Sequence, residues 1–379
     1  MSSPTSDLPR WVDVVVLPLC SLLLALLVAG LVARVAGFDP VQVLGLLVKG
    51  AFGSRVGIGY TLYYATTFVF TGLAVAVAFH CGLFNIGGEG QAMVGGLAVG
   101  LAALAWSAQL PAWLMLPVLV AAAMVGGMLW AAVPGALQAW RGSHVVITTI
   151  MFNFIASALL SYLLVNVLKE PGNMSPETRA FADSARLPGM HELLGALGID
   201  WPRTPLNASV LLAALAVPAV HLLLRATRAG YALRAVGHAS EAARYAGIAP
   251  ARMVVAAMAV SGALAGMVGL NEIAGVHGRL LLDFVAGAGF AGIAVSLIGR
   301  NHPVGIVLAA LLFGALYQGG AELAFELQGF SRDMVFVLQG LIVLFAGAMS
   351  PAVASWLARG LRLARRRQGA AASPEAARG

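Results

Sequence analysis

A cluster of polar residues and glycines interrupts one of the most apolar regions of this chain. Phe79–Gly96 reads FHCGLFNIGGEGQAMVGG, with Phe84, Asn85, Glu89 and Gln91 crowded between Gly82, Gly87, Gly88, Gly90, Gly95 and Gly96. Side-chain amides and a carboxylate can hydrogen-bond a polar solute, or satisfy backbone groups that a broken helix leaves free. Non-helical backbone at membrane depth is tolerated only where protein covers it or where it lines a wet cavity. A carboxylate there is costly and usually faces a cavity or a partner. Glu89 therefore has two open readings. It lines a path or gate together with Phe84, Asn85 and Gln91, or it caps exposed N–H groups at the start of the helix that follows.

Further residues could act with this stretch. Phe290 stands in Gly287-Ala-Gly-Phe-Ala-Gly292, where a glycine-framed aromatic could gate a pore, stack on a flat ligand or simply pack. Asn153, with Asn166 and His144 in the same region, either lines the path or bonds neighbouring helices. Glu272, His277, Arg279 and Asp283 gather at the end of a later apolar run, as a partner contact or as a solvated turn.

A third group is RATRAGYALRAVGHASEAARYAGIAP, Arg225–Pro250. Ser240 reads as an N-cap, Glu241–Ala246 as a short helix, Gly247 as its stop, and Pro250 blocks continuation. A short displayed helix with Arg234, Ser240, Glu241, Ala242, Arg244, Tyr245 and Gly247 is a docking element or a basic, orientation-setting loop. Some chemistry is excluded. A P-loop needs Gly-Lys-Ser/Thr, and the lysines, Lys49 and Lys169, follow Val48 and Leu168. The chain is therefore not itself a nucleotide-hydrolysing subunit of that type. No metal-ligand spacing, redox CxxC or nucleophile elbow is present, and no bound cofactor is expected. Cys20 and Cys81 read as structural thiols.

The elements that must hold these residues belong to a chain of 379 residues that is 60% hydrophobic and 10% charged, with mean hydropathy +0.88. A soluble domain carries about 25% charged residues, so an all-α polytopic membrane protein is expected. The net charge of +7 then sets orientation rather than nucleic-acid binding. Uncharged runs give ten spans at Val14–Ala33, Val56–Gly88, two within Gly90–Trp140 separated at Gln109-Leu-Pro111, Gly142–Leu168, Thr204–Leu224, Met253–Asn271, the short Phe284–Gly299, Asn301–Ala321, and one within Met334–Ala358. The first span is expected to be retained rather than cleaved. Residues 1–13 and a basic tail at 359–379 are placed in the cytoplasm with loop 225–251, and loop 169–206 outside, around one transmembrane domain at 14–358. The spans divide five and five. In each half the third is shortened and preceded by a Gly-rich polar break, Cys81–Gln91 and Asn271–Gly289. Broken helices on opposite faces are what two inverted halves produce.

GLFNIGGEGQ (Gly82–Gln91), GYALRAVGHASEAARYAGI (Gly230–Ile248) and GAGFAGIAVSLIGRNHPVGI (Gly287–Ile306) resemble the ABC-importer permeases of the ribose and branched-chain amino acid class, from about Val56 to Ser350. They are most similar to the nucleoside-type permeases, and SPETRAFADSARLPG (Ser175–Gly189) is similar to the longer permease of the pair found in such systems. The resemblance implies a bacterial inner-membrane subunit in a heterodimer with a second permease. It also implies a cytoplasmic ABC ATPase that uses ATP, an extracytoplasmic substrate-binding lipoprotein, and Ser240–Gly247 as the coupling helix. Alternative cargoes are simple sugars or branched-chain amino acids. An ion-coupled secondary carrier with Glu89 and His80 as relay groups is the alternative from another class.

Overall fold

The computed structural model describes residues 30–327 continuously, with 27, 28, 329, 334, 335, 337, 340, 341 and 344. Most of the expected first span and most of the tenth, with the N-terminal segment and the basic tail, lie outside the described residues. Two compact units are distinguished, 1–48 with 320–379, and 49–319. Helix α1 (Pro40–Phe52) begins in the first, after Asp39, whose carboxylate accepts the Val41 N–H at 3.0 Å, and proline occupies the first helical position, where its missing donor costs nothing.

The larger unit is a helical bundle, and among the described residues the only β pairing is in isolated bridges. Its elements are α2 (Arg55–His80), α3 (Gly88–Trp106), α4 (Ala112–Arg141), α5 (Val145–Leu163), the short α6 (Met190–Gly195), α7 (Ser209–Ala226), α8 (Arg228–His238), α9 (Ser240–Tyr245), α10 (Pro250–Gly269), α11 (Ala288–Ile298) and α12, which starts at Pro303 and runs to Glu326. Seven described helices are long and apolar enough to cross a membrane: α2, α3, α4, α5 with its π-helical end at Leu168, α7, α10 with its π-helical end at His277, and α12. These coincide with seven of the ten expected spans. The expected eighth is the short α11. The apolar helix α1 was not foreseen, because Asp39 and Lys49 leave too short an uncharged run around it.

Helix α2 is the axis of the bundle. It is buried along most of its length, as expected of a helix that is apolar all round. Against it pack α10 and α11, with α7, and α10 in turn packs on α3 and α4. Without a hydrophobic drive between helices in lipid, close approach of small residues supplies the contact. A Cβ on Gly127 of α4 would strike the Gly262 carbonyl of α10, so these backbones touch directly. Phe68 of α2 packs edge-on against Phe313 and Tyr317 of α12, with ring centroids 5.6 and 5.0 Å apart.

Two ends of the bundle can be told apart. At one end residues 169–208 fold onto neighbouring elements. The Thr178 N–H donates to the Leu280 carbonyl at 3.0 Å, Phe181 N–H to Gly278 at 2.8 Å, and Arg279 pairs with Glu177 at 2.7 Å. The expected hydrophilic loop 169–206 thus folds as a cover clamped on the connector between α10 and α11. At the other end lie α8 and α9.

Candidate functional site

The polar stretch is a break followed by a helix start. Helix α2 ends at His80, residues 81–87 run without helix, and α3 begins at Gly88, which puts Glu89 and Gln91 in its first turn. The second break was expected over Asn271–Gly289. The structure shortens it: Leu270–His277 continues α10 as a π-helix, and only 278–287 is irregular. Asp283 and Ala286 there take left-handed backbone at φ 56° and 49°, a conformation costly for non-glycine residues.

Helix α11 has 11 residues, about 16 Å of rise against a hydrocarbon core of about 30 Å. It crosses half the depth, and its N-terminus therefore lies inside the bundle. There it meets the N-terminus of α3. A Cβ on Gly289 would collide with the backbone of Gly88 and Glu89, so glycine alone fits. The Glu89 carboxylate accepts the Gly287 N–H at 2.9 Å and the Gly289 N–H at 2.8 Å. This corrects the expected cap. Glu89 satisfies the start of the other broken helix, α11, because the two positive dipole ends converge and its side chain reaches across the glycine contact.

Asn85, Gln91 and Asn153 are buried with Glu89, and each is committed to the break. Asn85 Nδ2 donates to Gln91 Oε1 at 3.0 Å and to Ser261 Oγ at 2.9 Å. Its Oδ1 accepts the Gly87 N–H at 2.8 Å. Ser261 in turn donates to the Ala74 carbonyl of α2 at 2.6 Å. Asn153 of α5 accepts the Gly90 N–H at 2.9 Å and donates to the Ile86 carbonyl at 3.0 Å. Backbone groups freed by the break are thereby paired from three directions, as buried polar groups must be. Phe84 and Phe290 stand apart from this network. Phe84 is half-buried and lines a cavity toward the α8–α9 end. Phe290 is 48% exposed on α11, so it does not pack in the core of this chain. Asn166 donates to the Tyr162 carbonyl at 2.9 Å, within its own helix, and Thr148 N–H and Oγ1 donate to the His144 carbonyl.

A second buried network was missed. Glu272, read from sequence as part of an external cluster, is buried in the π-helical segment, where Tyr63 and Thr67 of α2 donate to it. Asn271 donates to Thr67 Oγ1 at 2.8 Å and accepts from Asn207 and Ser209 at 2.9 and 2.5 Å. The π-helical turn is what swings Asn271 and Glu272 inward. A polar pair directly after the apolar run Met253–Leu270, opposite Tyr63 and Thr67 on α2, was the available signal.

The α8–α9 segment is seated directly on the first break. A Cβ on Gly237 of α8 would meet Cys81 and Gly82 backbone atoms at 2.9 Å. Cys81 and Leu83 share one apolar cluster with Leu233, Val236 and Ala243, with Ile248 packed against it. Helix α9 starts at Ser240 with Ala239 as its cap residue and no side-chain cap bond, which corrects the expected Ser240 cap. Its end follows expectation: Gly247 has φ +80°, and Gly247 and Ile248 N–H groups donate to Arg244 and Ala243 carbonyls at 3.0 Å, a Schellman closure. Glu241, Ala242, Arg244 and Tyr245 are displayed outward, Tyr245 at 93% exposure. Arg234 is only partly exposed and faces the cavity lined by Phe84.

Comparison with known proteins agrees with this architecture. Residues 57–347 match the family model described as branched-chain amino acid transport system / permease component. The chain is 34% identical to the glucose ABC transporter permease protein TsgB13 of Haloferax volcanii, over 90% of this chain and 89% of that one. It is also 34% identical to the guanosine ABC transporter permease protein NupP of Bacillus subtilis, over 87% and 92%. To the nucleoside ABC transporter permease protein NupB of Lactococcus lactis subsp. cremoris it is 32% identical, over 87% and 90%. No solved structure matches the chain. The ion-coupled carrier reading gives way to these relatives: the chain belongs to the branched-chain amino acid transport system permease family and is a permease subunit of an ABC transporter.

Proposed function

We propose that this chain is the longer permease of a nucleoside importer, working with a second permease, a cytoplasmic ABC ATPase and an extracytoplasmic binding lipoprotein. Support for the cargo comes from the guanosine and nucleoside relatives. The glucose relative is equally similar to this chain, so a sugar is the competing cargo. Uptake of labelled uridine into cells carrying the whole system decides it. Unlabelled guanosine and uridine should suppress uptake while glucose, ribose and leucine leave it unchanged, and suppression by glucose or ribose alone would assign the sugar.

The observation that carries the mechanism is the direct seat of α8 on the break at Cys81–Gly82. In this reading α9 is the coupling helix on the ATPase, and Ser240, Glu241, Ala242, Arg244, Tyr245 and Gly247 form that contact, while Arg234, grouped with them from sequence, sits behind them on α8 and faces the cavity. The chain itself binds no cofactor, and its partner uses ATP. Displacement of α9 moves α8, and α8 has no side-chain cushion between its Gly237 and the break. The break then shifts the converging starts of α3 and α11, beside which cargo passes. Phe84 and Phe290 are the gate side chains of this scheme. Asn85, Glu89, Gln91 and Asn153 keep the gate backbone paired in each state rather than binding cargo tightly. The partners bias two conformations that the chain already offers. Deleting Glu241–Tyr245 should abolish uptake while membrane insertion is retained, as read by membrane fractionation. Wild-type uptake by that deletion would remove α9 from the coupling route.

A further inference from the structure

At the α8–α9 end the structure holds a half-open cavity of about 500 Å³ lined by the end of α2, the first break, α8 and the turn between α11 and α12. That volume is in the range of small-molecule sites, about 300–1,000 Å³. Its lining includes Arg234, His238, His80, Arg300 and Asn301, with no carboxylate among the lining residues. Arg234 Nη1 is buried and has no hydrogen-bond partner among the described residues. Buried donors are almost always paired, and a guanidinium left so is shaped to receive an anion. Asn301 has its side-chain oxygen occupied by the Ser296 hydroxyl at 2.7 Å, so its remaining capacity is as a donor. Arg300 and Asn301 both hold left-handed backbone, φ 57° and 54°, the kind of strain that gathers at ligand clamps. Adjacent His302 is held below the usual histidine pKa, first by burial and then by Arg225 and the imidazoles of His221 and His80. With two arginines and no carboxylate in the lining, the local field is positive.

We infer that this cavity is a binding site for a phosphate-class oxyanion, clamped by Arg234 with Arg300, His238 and Asn301. Arginine forks match phosphate oxygens in pairs, and flanking imidazoles add donors. The phosphate can belong to an anionic lipid headgroup or be free in solution. The cavity sits where the spans α2, α11 and α12 begin or end, which is headgroup depth and favours the lipid. The inference is independent of cargo and of what docks on α9.

The test uses the full chain purified in neutral detergent. Native mass spectrometry should show phosphatidylglycerol retained over phosphatidylcholine. Arg234→Gln, and Arg300→Gln with His238→Gln as a separate variant, should lose at least tenfold of that retention, while Arg141→Gln on α4 keeps it. In parallel, inorganic phosphate is titrated against the melting temperature. A phosphate-dependent rise lost in Arg234→Gln, with lipid retention unchanged, assigns the site to free phosphate and upholds the oxyanion chemistry. If Arg234→Gln does not fold, the Arg300→Gln/His238→Gln variant decides. Equal lipid retention and equal phosphate response in wild type and every folded variant overturns the inference.

Discussion

At the residue scale, Glu89 decides how two helix starts share one interior. Its two carboxylate oxygens accept from Gly287 and Gly289, and the negative charge faces the positive ends of α3 and α11. Glu89→Gln keeps the shape but replaces one acceptor with an amide donor aimed at a backbone N–H. Losing one such acceptor in a buried site costs about 1–3 kcal/mol, so the melting temperature of the purified chain should fall by several degrees. Gly289→Ala should cost a similar amount through collision with the Glu89 backbone, about 1–3 kcal/mol. A Glu89→Gln protein that melts with wild type would show that the carboxylate is not the cap. The sequence made the polar residues of this site visible, because Asn85, Glu89 and Gln91 cannot sit idle in an apolar run. It did not reveal their partners. Gly289 lies 200 residues from Glu89, and no local pattern records that a side chain reaches across a glycine contact to another helix. Glu272 was misplaced for a related reason: a π-helical turn rotates it inward, and the pattern of charges around it looks the same either way.

At the element scale, charge-free runs located the long helices well, because length and apolarity are what the bilayer demands. They failed where an element is short or paired by backbone. Helix α1 was hidden by Asp39 and Lys49, and residues 169–208 looked like a hydrophilic loop because bridges such as Glu177 with Leu281 leave little compositional trace. That cover carries its own prediction. The Asn173 amide and then Arg279 hold the Glu177 carboxyl below the usual carboxylate value. A depressed folded value stabilises the fold above the ordinary glutamate pKa, about 4.3, and the contribution is lost as pH falls from there through the folded value. Protection of the Thr178 and Leu280 amides against hydrogen exchange, corrected for intrinsic rate, should therefore decline as pH drops below about 4. Glu177→Gln should already lack that protection at neutral pH and show no such decline. Flat protection in wild type across that range would remove the Glu177–Arg279 pair as the clamp.

At the scale of the whole molecule, the remaining question is which way the bundle faces. The two ends differ in character: one carries the clamped cover at 169–208, the other the displayed α9 and its basic neighbours Arg225, Arg228, Arg234, Arg244 and Arg252. Arginine and lysine in short loops favour the cytoplasm, so the orientation we propose puts α9 on the ATP-bearing side and the cover outside. In that orientation α3 runs outward from mid-depth and α11 runs inward from mid-depth, their positive ends meeting at Glu89, as two inverted halves would place them. Single cysteines read this directly. Met174 in the cover is 95% exposed and Tyr245 on α9 is 93% exposed, so each tolerates substitution, in a background with Cys20→Ser and Cys81→Ser. Met174→Cys should react with a membrane-impermeant maleimide in intact cells. Tyr245→Cys should react only after the membrane is opened, and its labelling should then fall when the ATPase partner is co-expressed. Labelling of Tyr245→Cys in intact cells would reverse the orientation and with it the coupling role of α9. The fold and the Glu89 contact would stand unchanged, because both rest on distances within the chain.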